Sequence, residues 1–234
     1  MRKKILFFED LGKKEYKETW KYQKILFDDI IQKKVNDRLS QKIAGYLLFV
    51  EHPHVYTIGK NGKYKHLLVS SVFLKKIKAT FYQTDRGGDI TYHGPGQLVV
   101  YPILNMDYFF TDIHKYLRLL EEVIIHFLLK NYEIKGKREK GQTGVWLKGK
   151  KGKSRKICSI GIRMSRWVTM HGFALNVNTD LRYFDYIIPC GILNKEVTSL
   201  KKELNNKISF SEVKHLVKRS FQEIFDVEFI KEKV

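Results

Sequence analysis

The sequence predicts an α/β protein of one domain, built on a mixed β-sheet. Long stretches with apolar residues at helical spacing predict amphipathic helices near both ends and in the middle of the chain. Short apolar runs between these stretches predict strands. Because the 234 residues show no internal repeat, low-complexity segment or clear linker, we expect the single domain to span residues 1–234.

Three long helices are predicted. The first extends from Lys13 to about Leu39, where apolar residues recur at spacings of four or seven and therefore share one face. Its expected buried residues are Tyr16, Trp20, Phe27, Ile31, Val35 and Leu39. Thr111 is the expected N-cap of the second helix, and the capping box from Ser209 to Glu212 predicts the start of the third.

Short segments with the composition of strands lie between and after these helices. They are Ile5–Phe8, Ala44–Glu51, Val55–Ile58, Thr80–Gln83, Ile90–Tyr92, Gly144–Leu147, Lys156–Arg163, His171–Asn178 and Val227–Ile230. Shorter helices are predicted after Ser70 and over Leu181–Ile187. Alternation after His171 leaves Gly172, Ala174 and Asn176 on one strand face, which makes room for a ligand or for a second backbone.

The net charge of +19, from 44 Lys and Arg against 25 Asp and Glu, is compatible with a nucleic acid, a membrane surface or an acidic protein as partner. It is equally compatible with lysines spread over solvated surfaces. No zinc-ligand spacing, RNP signature or basic heptad pattern occurs, which counts against a nucleic-acid module. The apolar runs are far shorter than the ~18 residues of a membrane span, and no signal peptide is recognised. With only two cysteines, we expect a cytoplasmic protein with reduced thiols.

The stretch from Arg86 to Ile103, RGGDITYHGPGQLVVYPI, is the most informative part of the chain. Two glycines precede a short strand, and a Gly/Pro turn follows it. Since glycine lets a backbone approach a ligand closely, the pattern predicts a wall against which a ligand lies. A hairpin closed by the Gly/Pro turn is an equally good interpretation. The stretch matches neither of the common glycine-rich phosphate-binding loops.

Of the two cysteines, Cys190 is the better candidate for a nucleophile. Cys158 lies in an apolar strand pattern, where a cysteine usually serves as a small buried hydrophobic residue. Cys190 lies between Pro189 and Gly191 in a predicted loop, where a thiol can be both exposed and held in place. A thiol needs a cation or a base to become a thiolate near neutral pH. Spacing alone does not choose that partner among eight histidines and many lysines.

Six motifs in the same order resemble those of the octanoyltransferase family, the lipoyl/octanoyl transferases of protein lipoylation. They are EHPHVYTIGK (51–60), RGGDITYHGPGQLVVYP (86–102), GVWL (144–147), KICSIGIR (156–163), HGFALNVN (171–178), and IPCGI with VTSL (188–192 and 197–200). Each motif alone is weak, but the ordered set covers about Glu51 to Leu200 and is specific. The basic stretch Lys148–Arg155 departs from the family, in which this connection is usually shorter.

The resemblance implies the fold of the biotin and lipoate protein ligases, with helices flanking the mixed sheet. By the same resemblance, Cys190 is the cysteine that carries the acyl group as a thioester, and Lys156 is the lysine that lowers its pKa. The matching substrate-contacting residues are Arg86, Gly87, Gly88, Asp89, Ile90, Thr91, Tyr92, His93, Ser159, Ile160, Gly161, Gly172, Phe173 and Ala174.

The implied reaction moves an octanoyl or lipoyl group from acyl carrier protein to a lysine of a lipoyl domain, through the cysteine thioester. The implied acceptors are the lipoyl domains of 2-oxoacid dehydrogenases and the glycine cleavage H protein. No ATP, metal or other cofactor is expected, because thioester exchange is nearly isoenergetic and amide formation is downhill. We expect a monomer that binds neither nucleic acid nor membrane.

Two other functions stay open from the sequence. One is an ATP-dependent lipoate- or biotin-protein ligase, which would need an adenylate site but not Cys190. The other is a basic nucleic-acid-binding protein, whose affinity would fall steeply with salt. Between Lys135 and Lys156 there are ten Lys and Arg against one Glu. Within this stretch Lys148, Lys150, Lys151 and Lys153 either help to dock an acidic carrier protein or form a solvated hairpin tip.

Overall fold

A computed structural model describes residues 4–36, 43–149, 153–189 and 196–230. The strands in these ranges are β1 (Ile5–Lys13), β2 (Gly45–Glu51), β3 (Val55–Ile58), β4 (Thr80–Gln83), β5 (Ile90–His93), β6 (Gln97–Leu104), β7 (Lys137–Glu139), β8 (Gln142–Lys148), β9 (Ser154–Ser165), β10 (Val168–Asn176), β11 (Glu196–Val197) and β12 (Glu228–Ile230). The α-helices are α1 (Tyr16–Asn36), α2 (Ser71–Lys76), α3 (Ile113–Tyr132), α4 (Leu200–Leu204) and α5 (Phe210–Phe225). Short 3₁₀-helices lie at Tyr64–His66, Met106–Tyr108 and Leu181–Tyr186. No helix within the described ranges is both long and apolar enough to cross a membrane.

The strands form a nine-stranded mixed sheet and a separate three-stranded sheet. The order in the large sheet is β12-β1-β2-β6-β10-β9-β8-β7, and β11 pairs with β9. Strand β1 is parallel to both of its neighbours, β12 and β2. Every other pair of adjacent strands in this order, from β2 with β6 to β8 with β7, is antiparallel. The order in the small sheet is β4-β3-β5. The predicted mixed sheet is therefore confirmed.

Helices cover both faces of the large sheet because its central strands alternate two sets of apolar side chains. In β6, Leu98 and Val100 belong to the cluster on which α3 and α5 pack. Val99 and Tyr101 belong to a second cluster that contains residues of α1. A third cluster joins the small sheet to α2 and to Phe184 of the last 3₁₀-helix. The expectation that helices flank the sheet is confirmed.

The predicted buried face of the first helix is partly wrong. Helix α1 begins at Tyr16, and Leu26 and Ile30 are buried on it, whereas Val35 is 68% exposed. With 3.6 residues per turn, repeated steps of four residues drift around the helix, so that Val35 lies about 100° away from Tyr16. The buried face instead follows mixed steps of three and four residues.

The N-cap of α3 also differs from the prediction. The Asp112 side chain accepts hydrogen bonds from the backbone N–H groups of His114 and Lys115 at 2.8 and 3.0 Å, so Asp112 and not Thr111 is the cap. A carboxylate at this position also interacts favourably with the helix dipole. In α5 the predicted cap is confirmed, because the Ser209 side chain accepts a hydrogen bond from a first-turn N–H group.

The hairpin interpretation of the stretch after Arg86 is wrong. Strand β5 pairs with β3 in the small sheet, whereas β6 pairs with β2 and β10 in the large sheet. The turn between Gly94 and Gly96 therefore passes the chain from one sheet to the other. As a consequence, both sheets contribute walls to the cavity between them.

We expect Asp112→Ala to lower the midpoint of thermal unfolding by a few degrees, because two N–H groups at the start of α3 lose their acceptor. The matched variant Thr111→Ala should leave the midpoint unchanged within error. Scanning calorimetry of both variants beside the unaltered protein measures the difference. Equal losses in the two variants would contradict the assignment of the cap to Asp112.

Candidate functional site

A cavity of about 400 Å³ is lined by β5, β9 and β10, with Tyr16 from α1 and Leu117 from α3. Lys156 lines it, and so do all residues that the family resemblance assigns to substrate contact except Tyr92. Tyr92 packs in the core of the small sheet, with its ring centroid 5.1 Å from that of Tyr183. Cys190 lies outside the described residues. The structure thus brings motifs that are distant in the chain to one cavity.

Two glycines allow the close packing that shapes this cavity. Gly161 of β9 lies opposite Gly172 of β10. A Cβ on Gly172 would lie 2.1 Å from a carbonyl oxygen of the adjacent strand β6, and a Cβ on Gly161 would lie 3.1 Å from Cδ of Arg86. The absence of a side chain at Gly172 therefore lets the backbone of β6 approach closely. For this residue, the second of the two predicted reasons for a small side chain, room for another backbone and not for a ligand, applies. Gly161 makes room for the Arg86 side chain.

The guanidinium of Arg86 is held in a buried position. Its Nη2 atom donates to Thr57 O at 2.6 Å and to Thr57 Oγ1 at 3.0 Å, and its Nη1 atom donates to Gly87 O at 3.0 Å. The residue is only 7% exposed. These partners are neutral acceptors, so the positive charge acts on the cavity beside it with little screening by water.

Asp85, next to Arg86 in the chain, connects this segment to β9 and β10. Its carboxylate accepts a hydrogen bond from Nε2 of His171 at 2.7 Å and pairs with the guanidinium of Arg163. Burial by itself raises the pKa of Asp85, but the hydrogen bonds and charges of His171 and Arg163 outweigh burial and lower it to about 2. Burial also lowers the pKa of His171, against the opposing effect of Asp85. At neutral pH the pair is therefore a carboxylate and a neutral imidazole.

The tautomer of His171 leaves an acceptor atom buried beside the cavity. Because Nε2 donates its proton to a carboxylate, Nδ1 of the neutral ring carries the lone pair. His171 is 1% exposed, and its Nδ1 has no hydrogen-bond partner among the described residues. Gln142 also lines the cavity, and its buried Oε1 has no partner within the described ranges. Both atoms are suited to accept a hydrogen bond from a group that enters the cavity, since a buried unpaired acceptor is costly.

A chain of buried hydrogen bonds connects His93 to the segment that follows β11. Gln97 accepts from Nδ1 of His93 at 2.8 Å and donates to the Asn176 side-chain oxygen at 2.9 Å. Asn176 in turn donates to Thr198 O at 2.9 Å. Burial lowers the pKa of His93 to about 3, so its ring is neutral and Nε2 is an acceptor at neutral pH. The network ties the glycine-rich wall to the part of the chain that lies beside Lys156.

Lys156 is a buried amine at the other end of the cavity wall. The residue is 4% exposed, and its Nζ donates to Thr143 O at 3.3 Å. The same nitrogen lies 4.4 Å from the centroid of the Trp146 ring, within the range of a cation–π contact. A carbonyl oxygen and an aromatic face both stabilise a protonated amine in this position.

A β-bulge helps to orient Lys156. Val145 and Trp146 are consecutive residues of β8, but their partners in β9 are Cys158 and Lys156, so that Ile157 is an extra residue. Bulges bend a strand and redirect side chains, and they are common next to active sites. The shift in register allows Lys156 to line the cavity while Cys158 packs in the apolar core.

Strand β11 places the chain downstream of Cys190 beside Lys156. Val197 pairs with Lys156 in a parallel ladder, and the Thr198 N–H group donates to Lys156 O at 2.9 Å. Pro189 is the last described residue before residues 190–195. The first described residues after this gap therefore lie beside Lys156, the lysine that by the family resemblance lowers the pKa of Cys190.

The other cysteine is poorly suited to chemistry. Cys158 is fully buried, as its strand pattern predicts. Burial raises the pKa of its thiol, and the nearby Lys156 offsets this effect only in part. A thiol that is both inaccessible and difficult to ionise is a weak nucleophile.

Sequence patterns did not indicate a site role for several residues at or beside the cavity. Tyr16, Gln142 and His171 line it, whereas Asp85 and Gln97 hydrogen-bond to the lining residues His171 and His93. Asp85 directly precedes Arg86, and His171 is the first residue of the HGFALNVN motif, so their positions within or beside motifs were the available signals. Tyr16 and Gln142 come from outside the motifs and enter the site only through tertiary packing.

Comparisons with known proteins give a consistent family. Residues 15–222 match the model of the lipoyl protein ligase A/B catalytic domain. The chain is 55% identical over 227 residues to an octanoyltransferase of Flavobacterium psychrophilum, covering 95% of this chain and 97% of the relative. It is 56% identical over 223 residues to an octanoyltransferase of Christiangramia forsetii, covering 94% and 95%.

Solved structures with low sequence identity share the fold. A bi-partite lipoate protein ligase of Thermoplasma acidophilum, described with its E2 lipoyl domain, superposes with a TM-score of 0.70 at 18% identity, covering 100% of this chain and 88% of that chain. A biotin protein ligase of Aquifex aeolicus, in complex with biotin and ATP, gives a TM-score of 0.53 at 14% identity, covering 95% and 71%. The expected similarity to the fold of both ligase groups is confirmed.

We expect Asp85→Asn to lower the free energy of unfolding near neutral pH. In acid the variant and the unaltered protein should be equally stable. The folded-state pKa of Asp85 is about 2, below its ordinary value of 3.8, so the carboxylate contributes stability above pH 3.8. That contribution is lost as the pH falls from 3.8 towards 2. Urea unfolding of both proteins over this pH range measures the difference. A difference that stays constant down to the acid limit would show that the charge of Asp85 is not its cause.

Proposed function

The chain belongs to the lipoyl protein ligase A/B catalytic domain family and is a lipoyl/octanoyl transferase, and on this premise we propose that it carries the acyl group as a thioester on Cys190. The donor in this proposal is octanoyl acyl carrier protein, and the acceptor is a lysine of a lipoyl domain. The observation that carries the proposal is the contrast between the two cysteines. Cys158 is sealed in the core, whereas the segment that begins at Cys190 leads into β11 beside Lys156.

In the first half-reaction, Lys156 as an ammonium ion lowers the pKa of the Cys190 thiol and so favours the thiolate. The thiolate attacks the carbonyl carbon of the donor thioester. The bond between that carbon and the sulfur of the carrier breaks, and the carrier thiolate takes a proton from the Lys156 ammonium and leaves as a thiol. The acyl group then resides on Cys190, with no net oxidation or reduction.

In the second half-reaction, the amine of the acceptor lysine attacks the carbonyl carbon of the acyl-enzyme. Lys156, after giving up a proton, accepts one from the incoming amine. The bond from the acyl carbon to Cys190 breaks, and an amide remains on the acceptor. Conversion of a thioester to an amide is downhill, so the reaction needs no ATP.

The cavity wall is long enough for an acyl chain of eight carbons. Along β9, Gly161 lies five residues beyond Lys156, roughly 16 Å at about 3.3 Å per residue. An extended eight-carbon chain with bonds of about 1.5 Å is about 9 Å long, so it fits between these two positions. The segments Arg86–His93, Ser159–Gly161 and Gly172–Ala174 are proposed to contact it. Of these residues, only Tyr92 is away from the cavity wall, and its proposed contribution is to hold β5 in place.

The relatives favour a transferase over an ATP-dependent ligase. The octanoyltransferases are more than half identical to this chain, whereas the ligase structures are similar at 18% identity and below and therefore indicate the fold alone. The proposal of a lipoyl domain as the acceptor rests on the family match and not on these structures. A single catalytic domain, a monomeric state and a cytoplasmic location stay predictions.

Mass spectrometry tests the acyl-enzyme. We expect incubation with octanoyl carrier protein to add one octanoyl group to the unaltered protein and to Cys158→Ala, and none to Cys190→Ala. Cys158→Ala removes one buried sulfur atom and should cost only about 1 kcal/mol of stability. An adduct that persists in Cys190→Ala and disappears in Cys158→Ala would refute the assignment.

The role of Lys156 is tested by pH-dependent alkylation, with Cys158→Ala as the background so that Cys190 is the remaining thiol. We expect Lys156→Ala to move the iodoacetamide profile to higher pH, because the thiolate loses a neighbouring cation. Lys156→Arg keeps the positive charge, so its alkylation profile should stay close to that of the background protein. Its rate of acyl transfer to the acceptor amine should nevertheless fall by about 100-fold, because a guanidinium cannot serve as the base. Identical profiles in all three proteins would show that Lys156 does not act on Cys190.

A further inference from the structure

Residues 52–84 contain six lysines and no Asp or Glu. The lysines in this stretch are exposed, and none forms an ion pair with another described residue. They are Lys60, Lys63, Lys65, Lys75, Lys76 and Lys78. The elements that bear them pack together, because Leu67, Leu74 and Ile77 share the apolar cluster of the small sheet. Their charge is thus concentrated on one structural unit.

Large apolar side chains are exposed among these lysines. Tyr64 is 60% exposed, Leu68 is 55% exposed and Val72 is 76% exposed. We call these three residues, together with the six lysines, the lysine-rich face. Three exposed apolar side chains close together among mostly basic residues are typical of a protein-binding surface.

The lysine-rich face adjoins the segment that directly precedes Cys190, the proposed nucleophile. Leu67 forms a β-bridge with Ile187, and the Leu68 N–H group donates to Tyr186 O at 2.9 Å. The Ile188 N–H group donates to His66 O at 2.8 Å. Ile188 is two residues before Cys190 in the chain. A protein bound to this face would therefore lie next to the start of the Cys190 segment.

The same unit also touches the wall of the cavity. The Lys60 N–H group donates to Arg86 O at 2.9 Å, and the Asn61 N–H group donates to Gly88 O at 3.2 Å. A Cβ on Gly59 would lie 2.4 Å from Gly88 O, so the loop that carries the first lysines lies directly on the Arg86 segment. The lysine-rich face is thus continuous with one wall of the proposed acyl site.

We propose that the lysine-rich face docks the donor, an acidic carrier protein that presents the octanoyl thioester, and this inference rests on the proposed function. The carboxylates of the carrier pair with the lysines, and an apolar side of the carrier covers Tyr64, Leu68 and Val72. Attraction between opposite charges mainly accelerates association and is screened by salt, with a Debye length of about 8 Å at physiological ionic strength. The thioester then reaches Cys190 from the side of Ile188.

The hairpin between β8 and β9 is a less suitable docking surface. Lys148 and Lys153 are exposed there, whereas Lys150 and Lys151 lie outside the described residues. In the strands beside this connection, basic side chains are already neutralised, since Lys137 pairs with Glu139 at 2.7 Å and Arg155 with Glu203 at 2.7 Å. No large apolar side chain is exposed in the described part of residues 130–165. The geometry therefore favours the lysine-rich face over the hairpin, for which the sequence left docking and a solvated tip as equal alternatives.

Charge reversal tests the proposal. The double variants Lys63→Glu/Lys65→Glu and Lys75→Glu/Lys76→Glu each replace two positive charges of the lysine-rich face by two negative charges. We expect each to lower kcat/KM for octanoyl carrier protein by about tenfold at low salt, with a smaller loss at high salt. Lys21→Glu/Lys24→Glu makes the same change on the exposed side of α1, where Glu18 and Asp28 interrupt the positive charge, and it should stay within about twofold of the unaltered protein.

Two further measurements separate docking from structural damage. Turnover of octanoyl pantetheine, a small thioester with no acidic surface, should stay within about twofold in every variant, because exposed lysines contribute little to stability. Leu68→Ser/Val72→Ser should lower kcat/KM for the carrier protein at both salt concentrations, because the lost contact is apolar. Equal losses with the carrier and the small thioester would overturn the proposal.

The same assays separate this inference from the proposed function. If the unaltered protein forms no amide with either donor, the proposed function fails. If it uses both donors but Lys148→Glu/Lys153→Glu alone lowers kcat/KM for the carrier, the docking surface is the hairpin and the inference is overturned. If the lysine-rich face variants change KM only for the lipoyl domain, the face binds the acceptor and the inference is likewise overturned.

Discussion

The attachment of the Arg86 segment to strand β9 is the contact on which the site depends. The Gly87 N–H group donates to Ile162 O at 2.8 Å and so joins the loop of the small sheet to the large sheet. Arg86 reaches across β9 at Gly161, where any side chain would press on its aliphatic stem. A shift of one residue in the register of β9 would place a side chain under Arg86 and turn the lining residues away from the cavity. The pairing of β9 with β10 therefore determines whether the cavity exists.

Two kinds of buried polar group occur around the cavity. The chain from His93 through Gln97 and Asn176 is hydrogen-bonded. At the walls, acceptor atoms of Gln142 and His171 are unpaired among the described residues. Since paired networks rigidify a site and unpaired atoms are costly, this distribution is that of a preorganised binding site.

Positive charge occurs in two different environments in this chain. Arg86 and Lys156 are buried beside neutral acceptors or an aromatic ring, where their charges act strongly over short distances. The exposed lysines of residues 60–78 act through water and are screened by salt. The net charge of +19 sums over both groups, and for that reason it could not by itself distinguish a buried cation from a charged surface.

Motifs and local patterns in the sequence were sufficient for the family, the mixed sheet, most strand positions and the Ser209 cap of α5. These features depend on residues close together in the chain, or on motif order, and both are visible without coordinates. Local pattern was insufficient for α1, because several apolar spacings fit a helix and only the packing partner selects one face. It was insufficient for the cap of α3 as well, because Thr111 and Asp112 are both good capping residues.

The sequence by itself indicated which residue types belong to the candidate site: the glycines that permit close approach, a lysine within a strand pattern, and the cysteine of a Pro-Cys-Gly sequence, which lies outside the described residues. Only the tertiary structure decided that the Gly/Pro turn passes between two sheets and that Tyr92 packs away from the cavity. The same holds for the bond between Asp85 and His171, which joins residues 86 positions apart. The physical reason is that hydrogen bonds and packing between distant segments depend on strand register, which no local pattern of residues encodes.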